Sequence, residues 1–168
     1  DDPPLHAAQV LSSLLVDRGV SVGGTGSGVA PLTTTQVAEV VSPVLLEIVT
    51  HVNSYSNNYG AEILVKHLGI ANAGNGSSGA GAAAVSEILG RAGIDMTGSV
   101  IADGSGLAET NRVTCRLLSD LLDHAGPESD FAQTLSIGGE RGSLFLRYDG
   151  TAADGHVFAK TGTLNGVT

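Results

Sequence analysis

The sequence predicts an α+β fold in which a helical subdomain is carried between strands at either end of the chain. Apolar residues at three- and four-residue spacing gather in the middle of the chain, and β-branched, glycine-punctuated stretches flank them. No internal repeat is present. At 168 residues one domain accounts for the length, with 42% hydrophobic and 15% charged residues. Twenty-four glycines and no tryptophan make it loop-rich, while the hydrophobic content sets it apart from disordered chains.

The elements follow in order. "PPLHAAQVLSSLLVDRG" reads as a helix with prolines in its first turn and Gly19 as its stop. "VSVGG" reads as a short strand, "TGSGVAPL" as a loop, and the β-branched "TTTQVAEVVS" as a second strand. Ser42 then caps a helix, "PVLLEIVTHVNSY", with Pro43 at its first position and Val44, Leu45, Ile48, Val49 and Val52 as its apolar face. A further helix, "YGAEILVKHLG", begins at once and ends at Gly69, before a loop of flexible composition, "NAGNGSSGAGAAA". Helices are expected at "AAAVSEILGRAG" and "VTCRLLSDLLDHAG", with the strand "GSVIAD" between them, so that the helical subdomain spans approximately 43–135. The end, "GHVFAKTGTLNGVT", reads as a strand, a glycine turn and the start of a hairpin partner. A domain that stopped there would leave a strand edge unsatisfied, so the chain is expected to be incomplete at both ends, a partial domain over 1–168.

The net charge of −9 and scattered basic residues argue against a nucleic-acid partner, whose phosphates need clustered Lys and Arg. No apolar run is long enough to span a bilayer. The single Cys115 can form neither an internal disulfide nor a thiolate metal site, and its place on the stripe Cys115, Leu118, Leu122, Ala125 reads as a buried core thiol. The five histidines show no metal-ligand spacing, so no metal and no cofactor is expected. "GNGSSG" matches G-x-G-x-x-G, but a dinucleotide site needs a buried strand running into the first glycine, here one ending at Ala73, and "EILVKHLG" before it is helical. Dinucleotide binding is a distant alternative, and a Gly/Ser loop explains the match.

Two triplets carry more. Ser56-Asn57-Asn58 stands at the mouth of a helix, where a helix cap would explain it. Lys160-Thr161-Gly162, followed by Thr163, lies at the end of a strand, where a basic residue before a hairpin turn would explain it. In this order, with Lys160 104 residues after Ser56, they match the S-x-N and K-T-G elements of the active-serine penicillin-recognising enzymes. The residue types suit that chemistry. A Ser56 hydroxyl held near the Lys160 ammonium can pass a proton to a leaving amine, and the Asn58 amide both donates and accepts. Gly162 has no Cβ, so a substrate strand can lie against it. The Lys160 charge with the Thr161 and Thr163 hydroxyls suits a terminal carboxylate.

Four segments in order resemble class C low-molecular-mass penicillin-binding proteins, the D-alanyl-D-alanine carboxypeptidase/endopeptidases. They are "SPVLLEIVTHVNSYSNNYGAEILVKHLG", "DGSGLAETNRVTCRLLSDLLDHA", "GGERGSLFLRY" and "HVFAKTGTLNGV". The resemblance runs from about Val37 to the carboxy terminus. It implies a penicillin-recognising serine transpeptidase/β-lactamase-like domain, an antiparallel sheet plus helical subdomain, without the family's inserted domains. It also implies cleavage of the D-Ala-D-Ala bond of peptidoglycan stem peptides, with D,D-crosslinks as the endopeptidase substrate, through an acyl-enzyme that β-lactams trap. Ser56 would relay a proton to the leaving D-alanine, Asn58 would hold the substrate amide and the catalytic lysine, and Lys160 would poise the network. Thr163 would give an oxyanion-hole N–H, and its hydroxyl or that of Thr161 would meet the carboxylate. Asp103 to Gly106 match a family loop, where Asp103 has no expected role beyond shaping a turn. An exported location, periplasmic or at the outer face of the membrane, follows from the family alone.

One departure stands out. The family's nucleophile motif, S-x-x-K, is absent: the lysines are Lys66 and Lys160, with Ile63 and Val157 three positions before them. A serine nucleophile without its positioned base is unreactive, so this chain alone is expected to be inactive. The alternative is a non-catalytic relative that binds wall peptides or a partner protein.

Overall fold

The computed structural model describes residues 2–29 and 31–164, and the chain divides into two compact units, Asp1–Val41 and Ser42–Thr168. In the first, helix α1 (Pro3–Val16) forms as expected. Prolines fill its first turn, where no N–H acceptor is needed, and the Asp2 carboxylate caps it by accepting the Leu5 N–H at 3.1 Å. Gly19, at φ +81°, turns the chain out of the helix. The strands expected at "VSVGG" and "TTTQVAEVVS" are not formed among the described residues. Val37 and Val40 are each 96% exposed. β-Branched composition favours a strand only where a neighbour supplies a ladder, and neither stretch has one.

The second unit is mainly helical. Its helices are α2 (Leu45–Tyr55), α3 (Asn58–Ala73), α4 (Ser78–Arg91), α5 (Cys115–Ala125) and a short α6 (Asp130–Thr134) that the sequence reading missed. Strands β1 (Ser136–Ile137) and β2 (Phe158–Ala159) pair antiparallel, Ser136 opposite Ala159. The second strand of the expected terminal hairpin falls mostly outside the described residues. "GSVIAD" supplies a single bridge, Val100 to Arg112, instead of a strand. The core is small: Val52, Ala82, Ala84, Ile94, Leu117, Ala132, Leu135 and Leu144 are buried.

Three local expectations are corrected. Helix α2 starts at Leu45 behind Val44, with no side-chain cap, because the Ser42 hydroxyl bonds the Pro43 carbonyl instead. Cys115 is exposed. Helix α5 carries leucines on two adjacent stripes, and the core takes Leu117 (3% exposed), leaving Leu118 and Leu122 about half exposed. The stretch read as a flexible loop is mostly helix: α3 runs on to Ala73, Gly74 ends it at φ +65°, and the Ser77 hydroxyl caps α4 through the Ala80 N–H at 3.2 Å. Ala73 therefore closes a helix and not a strand, which removes the entry that a dinucleotide site requires.

The small residues of that stretch serve close packing of α3 on α4. A Cβ on Gly69 would stand 2.5 Å from the Asn75 carbonyl oxygen, and one on Gly81 would run into the Val65 carbonyl. Glycine to alanine inside a helix ordinarily stabilises by about 1 kcal/mol. At Gly81 the exchange is expected to destabilise by roughly 1–3 kcal/mol, because α3 and α4 must part. Gly90 on the same helix has nothing within 4 Å of its Cβ position, so Gly90→Ala is expected to stabilise. Urea denaturation of the two variants checks the opposite signs.

Candidate active site

Helices α2 and α3 are separated by two residues, and those two do different work. Asn57 caps α3, its side-chain oxygen accepting the Gly60 N–H at 2.9 Å. The capping explanation thus holds for Asn57. Ser56 terminates α2 in the left-handed region, φ +55° and ψ +48°, a conformation that non-glycine residues adopt at a cost. Asn58 opens α3. The close approach of the helices here depends on Gly60, whose Cβ would lie 2.6 Å from Val52 Cγ2.

Lys160 follows directly on β2, and its ammonium donates to Ser56 Oγ at 2.7 Å and to the Thr161 carbonyl at 2.7 Å. The two triplets therefore meet, 104 residues apart in the chain. All six residues singled out from the sequence line one cleft of about 360 Å³: Ser56, Asn58, Lys160, Thr161, Gly162 and Thr163. Partial burial of the Lys160 ammonium holds it below the ordinary lysine range.

Behind the cleft runs a chain of hydroxyls. Thr161 Oγ1 donates to Ser143 Oγ at 2.8 Å, Ser143 Oγ meets Ser136 Oγ at 3.1 Å, and Ser136 Oγ donates to the Ser54 carbonyl at 3.1 Å. That carbonyl belongs to the last turn of α2, where no helical N–H remains to satisfy it. Each hydroxyl has one proton. With the Ser136 proton on Ser54, the Ser143 proton lies on Ser136 and the Thr161 proton on Ser143. Thr161 therefore turns lone pairs toward the cleft. Among the described residues the Thr163 hydroxyl bonds its neighbour's carbonyl alone, at Gly162, 2.8 Å away.

The loop Gly104–Leu107, which sequence reasoning left without a role, also lines the cleft. Burial pushes the Asp103 carboxyl up, but four donors outweigh it and hold it below the usual range: Asn111 Nδ2, Ser105 Oγ, Gly106 N–H and Ala108 N–H, at 2.8–3.0 Å. These partners lie within eight residues of Asp103, so an Asx-type turn was legible. Glu62 on α3 was missed altogether. It accepts the Ser78 hydroxyl and the Gly104 N–H (2.8 Å), which together hold its carboxyl low. Its partners stand 16 and 42 residues away, and no local pattern announces them. Among the described residues no group of three His, Cys, Asp or Glu is placed to hold a metal ion.

Comparison with known proteins places this geometry. A family model described as the D-Ala-D-Ala carboxypeptidase 3 (S13) family matches residues 1–168. The chain is 41% identical over 182 residues to the D-alanyl-D-alanine carboxypeptidase of Actinomadura sp. (strain R39), covering 100% of this chain and 34% of that protein. It is 31% identical over 174 residues to penicillin-sensitive carboxypeptidase A of Dictyostelium discoideum, 99% of this chain and 33% of that one. Penicillin binding protein 4 (dacB) of Haemophilus influenzae superimposes with a TM-score of 0.78 at 27% identity, over 99% of this chain and 38% of the other. This chain thus spans about a third of the length of the curated relatives it matches.

Proposed function

The chain belongs to the D-Ala-D-Ala carboxypeptidase 3 (S13) family, and on that premise we propose that it carries the proton-relay and carboxylate-binding parts of a serine D,D-peptidase. The substrates in this reading are peptidoglycan stem peptides ending in D-Ala-D-Ala, β-lactams are the covalent inhibitors, and the site lies outside the cytoplasm. Residues 43–135 form the helical subdomain of the transpeptidase-like domain. The observation that carries the reading is the 2.7 Å bond from Lys160 Nζ to Ser56 Oγ, which joins both motifs in one cleft.

In this reading a serine supplied from outside these 168 residues attacks the carbonyl between the two D-alanines, its proton passing to the base supplied with it. As the tetrahedral species collapses, the leaving amine takes the Ser56 proton and Ser56 Oγ takes one from Lys160. The lowered proton affinity of Lys160 makes that transfer easier. Water then hydrolyses the acyl-enzyme, its proton going to the released serine, and the proton held by the base restores Lys160. Asn58 orients the substrate amide. The Thr163 N–H supports the oxyanion, a type of contact typically worth about 3 kcal/mol.

The carboxylate of the last D-alanine falls first to Thr163, whose hydroxyl gives up a bond to its neighbour's carbonyl, whereas Thr161 must desert Ser143 at the head of the hydroxyl chain to donate. Thr163→Val is therefore expected to raise KM for a D-Ala-D-Ala peptide by about tenfold or more. Thr161→Val is expected to raise it less, and steady-state kinetics on both variants checks the order.

Labelling by a fluorescent penicillin tests the proposal. The longest natural form of the protein is expected to become covalently labelled, and the 168-residue chain beside it is expected to stay unlabelled. A folded long form that takes no label would overturn the peptidase reading and leave a non-catalytic wall-peptide or partner-binding protein.

A further inference from the structure

Glu62 lies outside the cleft, yet it is bonded to three separate elements. On its own helix, α3, it pairs with Lys66 at 3.8 Å. One carboxylate oxygen takes the Ser78 hydroxyl in the first turn of α4, and the other takes the Gly104 N–H at 2.8 Å. Gly104 is pressed against α3 so closely that a Cβ there would lie 2.5 Å from the Ala61 carbonyl oxygen and 2.6 Å from Val65 Cγ2. Ala61, Gly104, Ser105, Gly106 and Leu107 line the cleft that holds Lys160 to Thr163. The loop beyond Gly104 is already shaped from within by Asp103. The Glu62 carboxylate adds to that packing a hydrogen bond from the preshaped loop to the helix bearing Asn58.

We propose that Glu62 is a positioning residue for substrate binding: by tying Gly104 to α3 and α4 it sets the distance between the 104–107 rim and the Lys160–Thr163 wall. The proposal rests on the peptidase reading above. It separates binding from chemistry, because the rim touches the ligand while the Ser56–Lys160 relay stands on other bonds.

The test uses the longest natural form and the hydrolysis of a D-Ala-D-Ala peptide. Glu62→Ala is expected to raise KM by about tenfold with kcat changed by less than about threefold. Glu62→Gln is expected to restore KM, since its amide oxygen accepts the Gly104 N–H and its NH₂ donates to Ser78 Oγ. A purely structural role would instead lower kcat with the folded fraction and leave KM alone. Should the alanine variant fail to fold, Glu62→Asp serves, keeping the charge while withdrawing the carboxylate from Gly104. An unchanged KM in a folded Ala or Asp variant, or a Gln variant no better than Ala, would overturn the positioning role alone. A folded wild type that neither hydrolyses the peptide nor takes penicillin label would overturn the peptidase reading, and this inference with it.

Discussion

Lys160→Ala is expected to lower penicillin acylation of the longest natural form by about a thousandfold, the range a positioned proton donor supplies. The lysine has three tasks in one place. It donates to Ser56 Oγ, it holds the Thr161 carbonyl, and its charge faces the wall where a carboxylate would bind. Removing it leaves Ser56 a hydroxyl with nothing to replenish the proton it gives away. The pH dependence follows from the direction of its shift. Partial burial disfavours the charged form, so the ammonium loses its proton below the ordinary value of 10.5. The proposed relay needs the protonated form, so the alkaline limb of the acylation rate is expected below that value. Lys160→Arg keeps a charge that does not titrate in this range. It should flatten the alkaline limb while remaining slow, because a guanidinium does not give up its proton. A folded Lys160→Ala protein acylating within tenfold of wild type would contradict the assigned role.

What the sequence disclosed, and what it hid, follows the reach of each interaction. Helices α1, α3 and α5 were legible because their signals are local: prolines in the first turn for α1, apolar spacing for α3 and α5, and the polar Ser56–Asn58 triplet at the mouth of α3. The strands were not, because a strand is a relation between two segments, and at 33–42 no partner ladder forms. The stripe through Cys115 failed for a related reason. Two stripes of α5 are equally apolar, and only packing chose Leu117 over Leu118. In the cleft, Ser56 and Lys160 could be named from motif types, but the bond between them spans 104 residues and needed the fold to appear. The Gly/Ala stretch after α3 shows the opposite error, where composition that reads as flexibility is the contact surface of two helices.

Ser56→Ala and Ser56→Gly are expected to lose the same activity and to differ in stability. Both remove the hydroxyl that accepts from Lys160, so both should lower the acylation rate of the longest natural form by roughly 10²–10³. Their backbones differ. Alanine must keep the left-handed conformation at φ +55° with a Cβ in place, whereas glycine adopts it freely. Glycine also gives up more entropy on folding, by about 0.5–1 kcal/mol, against roughly 1–2 kcal/mol recovered from the strain. The glycine variant should therefore be the more stable of the two by several tenths to about 1 kcal/mol, read from paired urea midpoints. Strain held by a serine whose hydroxyl meets the cleft's Lys160 is what a functional site predicts, since a mere helix terminator could be glycine without that strain. Equal stability of the two variants would mean that the turn relaxes without strain, and Ser56 would then be left with its hydrogen bond alone to argue for its role.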